Sequence, residues 1–118
     1  MRILRSDILV IGSGAAGLFF ALKASRYADV LIITKKNAAL SNTNYAQGGI
    51  ASVIDRGDSF DLHIRDTLEA GRGLCDSEAV KIMVHEGPAR IEELLALGVR
   101  FSVDRENGSL ALGREGGH

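Results

Sequence analysis

Three glycines near the amino terminus have the spacing of a phosphate-binding turn. Gly12, Gly14 and Gly17 form a Gly-x-Gly-x-x-Gly pattern directly after the apolar run at residues 8–11. In such a turn the first glycine permits a sharp change of direction, the second lets a pyrophosphate approach the main chain, and the third lets helix and strand pack closely. The N–H groups at the helix start then face the phosphates. The spacing predicts a dinucleotide site, and the competing interpretation is a glycine-rich turn without a ligand.

The elements that must position this turn follow from the apolar runs on either side of it. Residues 8–11 and 30–33 are short, continuously apolar and mostly β-branched, which is typical of strands buried in a parallel sheet. The small and apolar residues 18–25 between them predict a helix. Strand, helix and strand together have the length of one βαβ unit. The fold class expected is therefore α/β, with a Rossmann-like unit, a parallel sheet and flanking helices.

The middle of the chain predicts a further strand and two helices. Residues 50–54 are apolar enough for a short strand. Asp58 can cap a helix that runs to about Ala70, since apolar residues recur there every four positions. Asp76 or Ser77 can cap the next helix.

The last third of the chain predicts a broken helix and a hairpin. Gly87–Pro88 should interrupt the helix, because proline fits the first turn of a new one at 89–97. Residues 99–103 and 109–112 read as two strands, joined through the tight turn that Asn107–Gly108 favours. No closing element follows, so we expect a fold that is incomplete at the carboxyl terminus.

Composition excludes several classes of function. The chain has 118 residues, 46% of them hydrophobic and 25% charged, with a formal net charge of −1. A near-neutral chain without a basic patch does not predict nucleic-acid binding. No apolar stretch approaches the ~20 residues of a membrane span. The lone Cys75 fits a reducing compartment, no cluster has metal-ligand spacing, and we expect a cytoplasmic protein without a metal.

The residues after the second strand leave the choice of dinucleotide open. NAD-binding units usually carry an acidic residue about 20 positions beyond the glycines, which contacts the ribose. Here the strand end reads Ile-Ile-Thr-Lys-Lys, without a carboxylate. Lys35 could hold a phosphate, as in an NADP site, or contact an adenosine ribose. The competing interpretation is a solvated surface lysine.

A second polar segment carries a family resemblance. Residues 41–50 read Ser-Asn-Thr-Asn-Tyr-Ala-Gln-Gly-Gly-Ile, and they resemble the flavin-binding segment of the succinate dehydrogenase and fumarate reductase flavoprotein superfamily. The opening at residues 7–18 and the pair Thr34–Lys35 resemble the same superfamily. Within it the chain is most similar to the L-aspartate oxidase family, and the resemblance runs from Asp7 to His118.

The resemblance implies a cofactor and a substrate contact. Asn42 stands where membrane-complex members carry the histidine that bonds covalently to FAD, so a non-covalent FAD is expected. Glu115, within the final Arg-Glu-Gly-Gly-His, is expected to pair with the ammonium group of the substrate; its competing interpretation is an exposed turn residue. The expected cofactor-binding residues are Gly12, Ser13, Gly14, Ala15, Ala16, Gly17, Lys35, Asn42, Thr43, Asn44, Tyr45, Ala46, Gln47, Gly48 and Gly49.

The activity implied is that of an FAD-dependent oxidoreductase. L-aspartate would be oxidised to iminoaspartate with hydride transfer to FAD, which oxygen or fumarate would reoxidise, and the product would feed quinolinate synthase in NAD biosynthesis. Residues 1–118 would form the amino-terminal part of the FAD-binding domain. Catalytic residues are expected downstream and none within this segment, so the chain alone should be inactive.

Two alternatives remain. One is the equivalent piece of a soluble fumarate reductase or succinate dehydrogenase flavoprotein, which residue 115 would distinguish. The other is a non-catalytic NADP-binding module, supported by Lys35–Lys36 but without an account of residues 42–49.

Overall fold

A computed structural model of the chain describes residues 3–46 and 49–113. The chain forms two compact units, Met1–Gly49 and Ile50–His118, hereafter the amino-terminal and carboxyl-terminal units. The expected roles of Gln47, Gly48 and Glu115 lie outside the described residues. In the described ranges, no helix is both long and apolar enough to cross a membrane.

The amino-terminal unit contains the predicted βαβ arrangement. Strand β1 (Ile8–Ile11), helix α1 (Ala15–Ala24) and strand β2 (Val30–Ile33) follow in order, and a short helix α2 comes later at Asn42–Tyr45. The two strands are parallel, with Ile8 opposite Val30 at one end of the register. The bounds predicted for both strands, the parallel pairing and the α/β class are confirmed.

Helix α1 lies on one face of this two-stranded sheet. Val10 on β1 and Ala21 on α1 are both buried, at 8% and 5% exposure, because small helical side chains let helix and sheet approach closely. Side chains alternate along a strand, so Leu9 and Ile11 belong to the opposite face. There they are 53% and 79% exposed. The apolar runs therefore suit a sheet covered on both faces, and the described residues cover one.

The carboxyl-terminal unit is built on two helices whose starts are capped by side chains. Helix α3 spans Phe60–Ala70 and helix α4 spans Ser77–Ala96. Ser59 caps α3, because its Oγ accepts a hydrogen bond from the N–H of Leu62 at 3.2 Å. The prediction of Asp58 was one residue early. For α4 the prediction of Asp76 is confirmed, since its carboxylate accepts two main-chain N–H groups at 2.9 and 3.0 Å.

Helix α4 runs through Pro88 without a break, so the predicted interruption at Gly87–Pro88 is wrong. A proline inside a helix costs about 3 kcal/mol, since it removes one main-chain hydrogen bond and crowds the preceding turn. Val80, Val84 and Ile91 lie on both sides of the proline and are 7%, 2% and 4% exposed. Burying such side chains stabilises by about 1.5–3 kcal/mol each, which offsets the cost of keeping one continuous helix.

Residues 50–54 do not form the predicted strand. Ser52 instead packs against α4 at Gly87, where an added Cβ would lie 2.9 Å from the serine Oγ. An apolar run becomes a strand only where another strand offers a hydrogen-bonding partner, and here the run contacts a helix.

The predicted hairpin is present in reduced form. Val103 and Leu110 form an isolated antiparallel bridge in place of two full strands. The Asp104 N–H donates to the Ser109 carbonyl at 2.8 Å, beside a turn in which Gly108 has a φ of +70°. The Asn-Gly signal thus located the turn correctly but overstated the pairing beyond it.

Candidate dinucleotide-binding site

The glycine turn has the geometry that its spacing predicted. Gly12 has a φ of +106°, a main-chain conformation that residues other than glycine rarely adopt. Its N–H donates to the Ile33 carbonyl at 2.8 Å, which fixes the turn to the end of β2. A Cβ added to Gly17 would lie 2.5 Å from the Gly12 carbonyl oxygen. The first and third glycines therefore permit the sharp turn and the close approach of α1 to β1.

The start of α1 faces the second motif. Gly14 is the N-cap and supplies no side-chain hydrogen bond to the helix. The first N–H groups of a helix lack partners within it. Here the N–H of Ala15 donates to Thr43 Oγ1 at 3.1 Å. A Cβ on Gly14 would lie 3.5 Å from the same Thr43 oxygen. The fold thus brings the glycine turn into contact with the polar segment at residues 41–50, although Ala15 and Thr43 are 28 positions apart in the sequence.

Ser13 connects the turn to the loop that follows β2. Its side chain is buried, at 5% exposure. Its Oγ donates to the Ala38 carbonyl at 2.8 Å and lies 3.3 Å from Thr34 Oγ1. The turn is therefore held from two sides, by the loop at Ser13 and by α2 at the helix start.

A recess of about 580 Å³ opens at the carboxyl ends of the two strands. It brings together six of the predicted cofactor residues, namely Gly12, Ser13, Gly14, Lys35, Asn42 and Thr43. The lining also includes Ile11, Ile33, Thr34, Leu40 and Ser41, which were not on the predicted site. Thr34 directly precedes Lys35, and Ser41 directly precedes Asn42. Their position next to predicted site residues is the sequence feature from which they could have been included in the site. In open α/β sheets, ligands bind at this edge.

The other predicted residues lie beside the recess or outside the described ranges. Ala15, Ala16 and Gly17 form the first turn of α1. Asn44 and Tyr45 complete α2, with Ala46 as its C-cap, and the Tyr45 side chain is 64% exposed. Gly49 has no atom within 4 Å of where a Cβ would be. Gln47, Gly48 and Glu115 are not among the described residues.

A second recess, of about 590 Å³, lies between α3 and α4 in the carboxyl-terminal unit. Its polar lining mixes both signs of charge and includes Asp61, Arg65, Glu69, Lys81 and His85. Glu78 raises the pKa of the exposed Lys81 by accepting its hydrogen bond and by its charge. This recess lacks a glycine-rich main chain at a helix start, so the strand-end recess is the better phosphate site. No group of three or more potential metal ligands occurs in the described part of the chain.

Comparisons with known proteins show the family to which the chain belongs. Residues 7–118 match the family described as FAD binding domain. The chain belongs to this FAD-binding domain family. It is 52% identical over 112 residues to the chloroplastic L-aspartate oxidase of Oryza sativa subsp. japonica, and 51% identical over 112 residues to that of Arabidopsis thaliana. Each match covers 95% of this chain and 17% of the relative.

Among solved structures, the chain is similar to the quinol fumarate reductase of E. coli. The TM-score is 0.85 and the identity 33%, over 97% of this chain and 20% of that one. FAD is the cofactor of the FAD-binding domain family, and the described residues fit its ADP half. The main chain at Gly12 is open, Gly14 places no side chain before the start of α1, and Lys35 supplies a positive charge at the recess.

Proposed function

We propose that this chain is the amino-terminal part of the FAD-binding domain of a longer L-aspartate oxidase. The observation that carries the proposal is 52% identity to an L-aspartate oxidase over 95% of the chain. The chain spans about one sixth of that relative's length, so the catalytic residues are expected in other segments. FAD, when bound, would accept a hydride from L-aspartate, yielding iminoaspartate, and oxygen or fumarate would reoxidise it. Quinolinate synthase would consume the product.

In this proposal the chain's own residues bind and orient the cofactor. The main chain at residues 13–17 would hold the pyrophosphate, and Lys35 would lie near the adenosine end. Residues 42–49 would lie along the flavin. Asn42 has an amide in place of a nucleophilic imidazole, so FAD would be held without a covalent bond. Acid precipitation of the flavin-loaded protein should release all its yellow colour into the supernatant.

Glu115 is the residue that we propose distinguishes the amino acid from a plain dicarboxylate. Succinate and aspartate differ by one ammonium group, and a carboxylate facing that position would favour aspartate. In the longer protein, Glu115→Gln should lower kcat/KM for L-aspartate by roughly 10- to 100-fold, the range expected for a hydrogen bond to a charged group. Fumarate reduction should change far less. Glu106→Gln, in the exposed hairpin turn, is the matched control.

The same pair of assays tests the leading alternative. The similarity to quinol fumarate reductase, with a TM-score of 0.85, favours a fumarate-reducing or succinate-oxidising protein as the second candidate. Equal losses of aspartate oxidation and fumarate reduction in the Glu115 variant would support that candidate. Tighter binding of NADPH than of FAD would instead support a nucleotide-binding module.

We also propose that the chain alone does not turn over L-aspartate and that the protein is cytoplasmic. The lone Cys75 supports a reducing compartment. Peroxide formation from L-aspartate by the 118-residue chain supplied with FAD would contradict the proposed inactivity.

A further inference from the structure

We propose that Ser13 acts as a positioning residue: its hydroxyl fixes the loop at residues 34–41, hereafter the adenosine-side loop, against the glycine turn. The cofactor would then meet the main chain of Ser13, with the hydroxyl turned to the loop. The inference rests on FAD binding by the family, and it deepens the proposed site by naming what sets its shape.

The hydrogen bonds of Ser13 leave its hydroxyl little capacity for a phosphate. A serine hydroxyl has one proton and two acceptor lone pairs. The proton is given to the Ala38 carbonyl at 2.8 Å. The Ser13 Oγ also lies within hydrogen-bond distance of the Thr34 hydroxyl, at 3.3 Å. Ser13 is only 5% exposed, and both hydrogen-bond partners of its hydroxyl are protein groups.

The adenosine-side loop needs such an anchor because its other bonds are local. The N–H of Ala39 donates to the Asn37 side chain at 3.0 Å, and that of Leu40 donates to the Asn37 carbonyl at 2.9 Å. These bonds shape the loop internally without tying it to the turn. The Ser13–Ala38 bond joins residues 25 positions apart and supplies that tie.

The loop in turn places two other parts of the recess. It begins beside β2 with Thr34 and Lys35, and it ends at Ser41, whose Oγ caps α2 by accepting the Asn44 N–H at 3.3 Å. Helix α2 carries Thr43, which contacts the start of α1. Loss of the Ser13 hydroxyl should therefore make both Lys35 and the end of the loop that leads into α2 more mobile.

Hydrogen exchange of the 118-residue chain, without ligand, tests the inference. Ser13→Ala should speed exchange in residues 35–41 by roughly threefold to tenfold, the effect of one net hydrogen bond, and leave β1 and α1 unchanged. The dissociation constant for ADP should rise by a similar factor. Ser25→Ala is the matched control, because that hydroxyl also donates to a main-chain carbonyl, Leu22, at 3.0 Å in the same unit.

A second pair of variants keeps the test decisive if Ser13→Ala fails to fold. Thr34→Val removes the neighbouring hydroxyl and should also speed loop exchange, whereas Thr34→Ser should restore it. Wild-type exchange in both Ser13→Ala and Thr34→Val would overturn the inference, as would equal acceleration through β1 and α1. Weaker ADP binding with unchanged loop exchange would show instead that the hydroxyl contacts the ligand. Since exchange is measured without substrate, these outcomes do not depend on whether the longer protein oxidises L-aspartate.

Discussion

Replacing Gly17 with alanine should destabilise the amino-terminal unit through a collision between main-chain and side-chain atoms. The new Cβ would lie 2.5 Å from the Gly12 carbonyl oxygen, 0.5 Å inside the 3.0 Å that real Cβ contacts essentially never go below. It would also lie 3.4 Å from Val10 Cγ1. The obstructing oxygen belongs to the main chain of the turn, so relief requires α1 to move away from β1.

Two opposing contributions set the size of the effect. Overpacking a well-packed contact costs about 1–3 kcal/mol, and a collision with main chain belongs near the upper end. Alanine is favoured over glycine inside a helix by up to about 1 kcal/mol, which offsets part of the cost. We therefore expect a net loss of about 2 kcal/mol, a large share of the 5–15 kcal/mol that stabilises a typical domain.

Urea unfolding followed by tyrosine fluorescence suits this measurement. Both tyrosines, Tyr27 and Tyr45, lie in the amino-terminal unit, and the chain has no tryptophan. With a denaturant dependence of about 1–3 kcal/mol per molar for a small protein, the midpoint should fall by roughly 1 M. Far-UV circular dichroism reports on both units and should show a smaller fractional change.

Gly14→Ala is the matched control, because the same methyl group is added to the same turn. Its Cβ would meet Thr43 Oγ1 at 3.5 Å, an ordinary contact, and its φ of −74° suits alanine. Stability should change by less than about 0.5 kcal/mol, while ADP affinity should fall, because the methyl group would occupy the phosphate approach. A Gly17→Ala protein as stable as the wild type, or equal destabilisation by both variants, would refute the packing argument.

Two further glycines give separate predictions. Gly12→Ala should cost about 1–3 kcal/mol from main-chain strain alone, since its φ is +106° and no atom lies within 4 Å of the new Cβ; unchanged urea stability would contradict this. Gly71→Ala should cost about 1–3 kcal/mol, because its Cβ would overlap Cys75 Sγ. Adding Cys75→Ala should recover part of that loss in a double-mutant cycle, and strict additivity of the two changes would argue against the overlap.

Where local chemistry decides the structure, the sequence alone was sufficient. Both strands of the βαβ unit and the turn between β1 and α1 follow from apolar runs and glycine spacing within a few residues. Asp76 was predicted as a cap because a carboxylate before a helix satisfies its first N–H groups. The six predicted cofactor residues that line the recess all belong to the glycine turn, to residues 41–50 or to the end of β2.

Where contacts between distant residues decide the structure, the sequence misled. Gly87–Pro88 has a strong local preference for a break, but burial of Val84 and Ile91 on either side outweighs it. Residues 50–54 have the composition of a strand, but Ser52 contacts helix α4 and the segment does not form one. The Ser13–Ala38 bond was equally invisible, since nothing in a Gly-Ser-Gly turn shows which carbonyl its hydroxyl will meet.

The contacts that hold the glycine turn determine when it can fold during synthesis of the chain. Ile8 pairs with Val30, Ser13 bonds Ala38, and Thr43 contacts Ala15, so each of these three contacts lies within the first 43 residues. Closing such short loops is entropically inexpensive. At about 5–20 residues per second, a ribosome needs only seconds to release this stretch. In the longer protein proposed above, the residues proposed to bind the nucleotide can thus fold early, before later segments are synthesised.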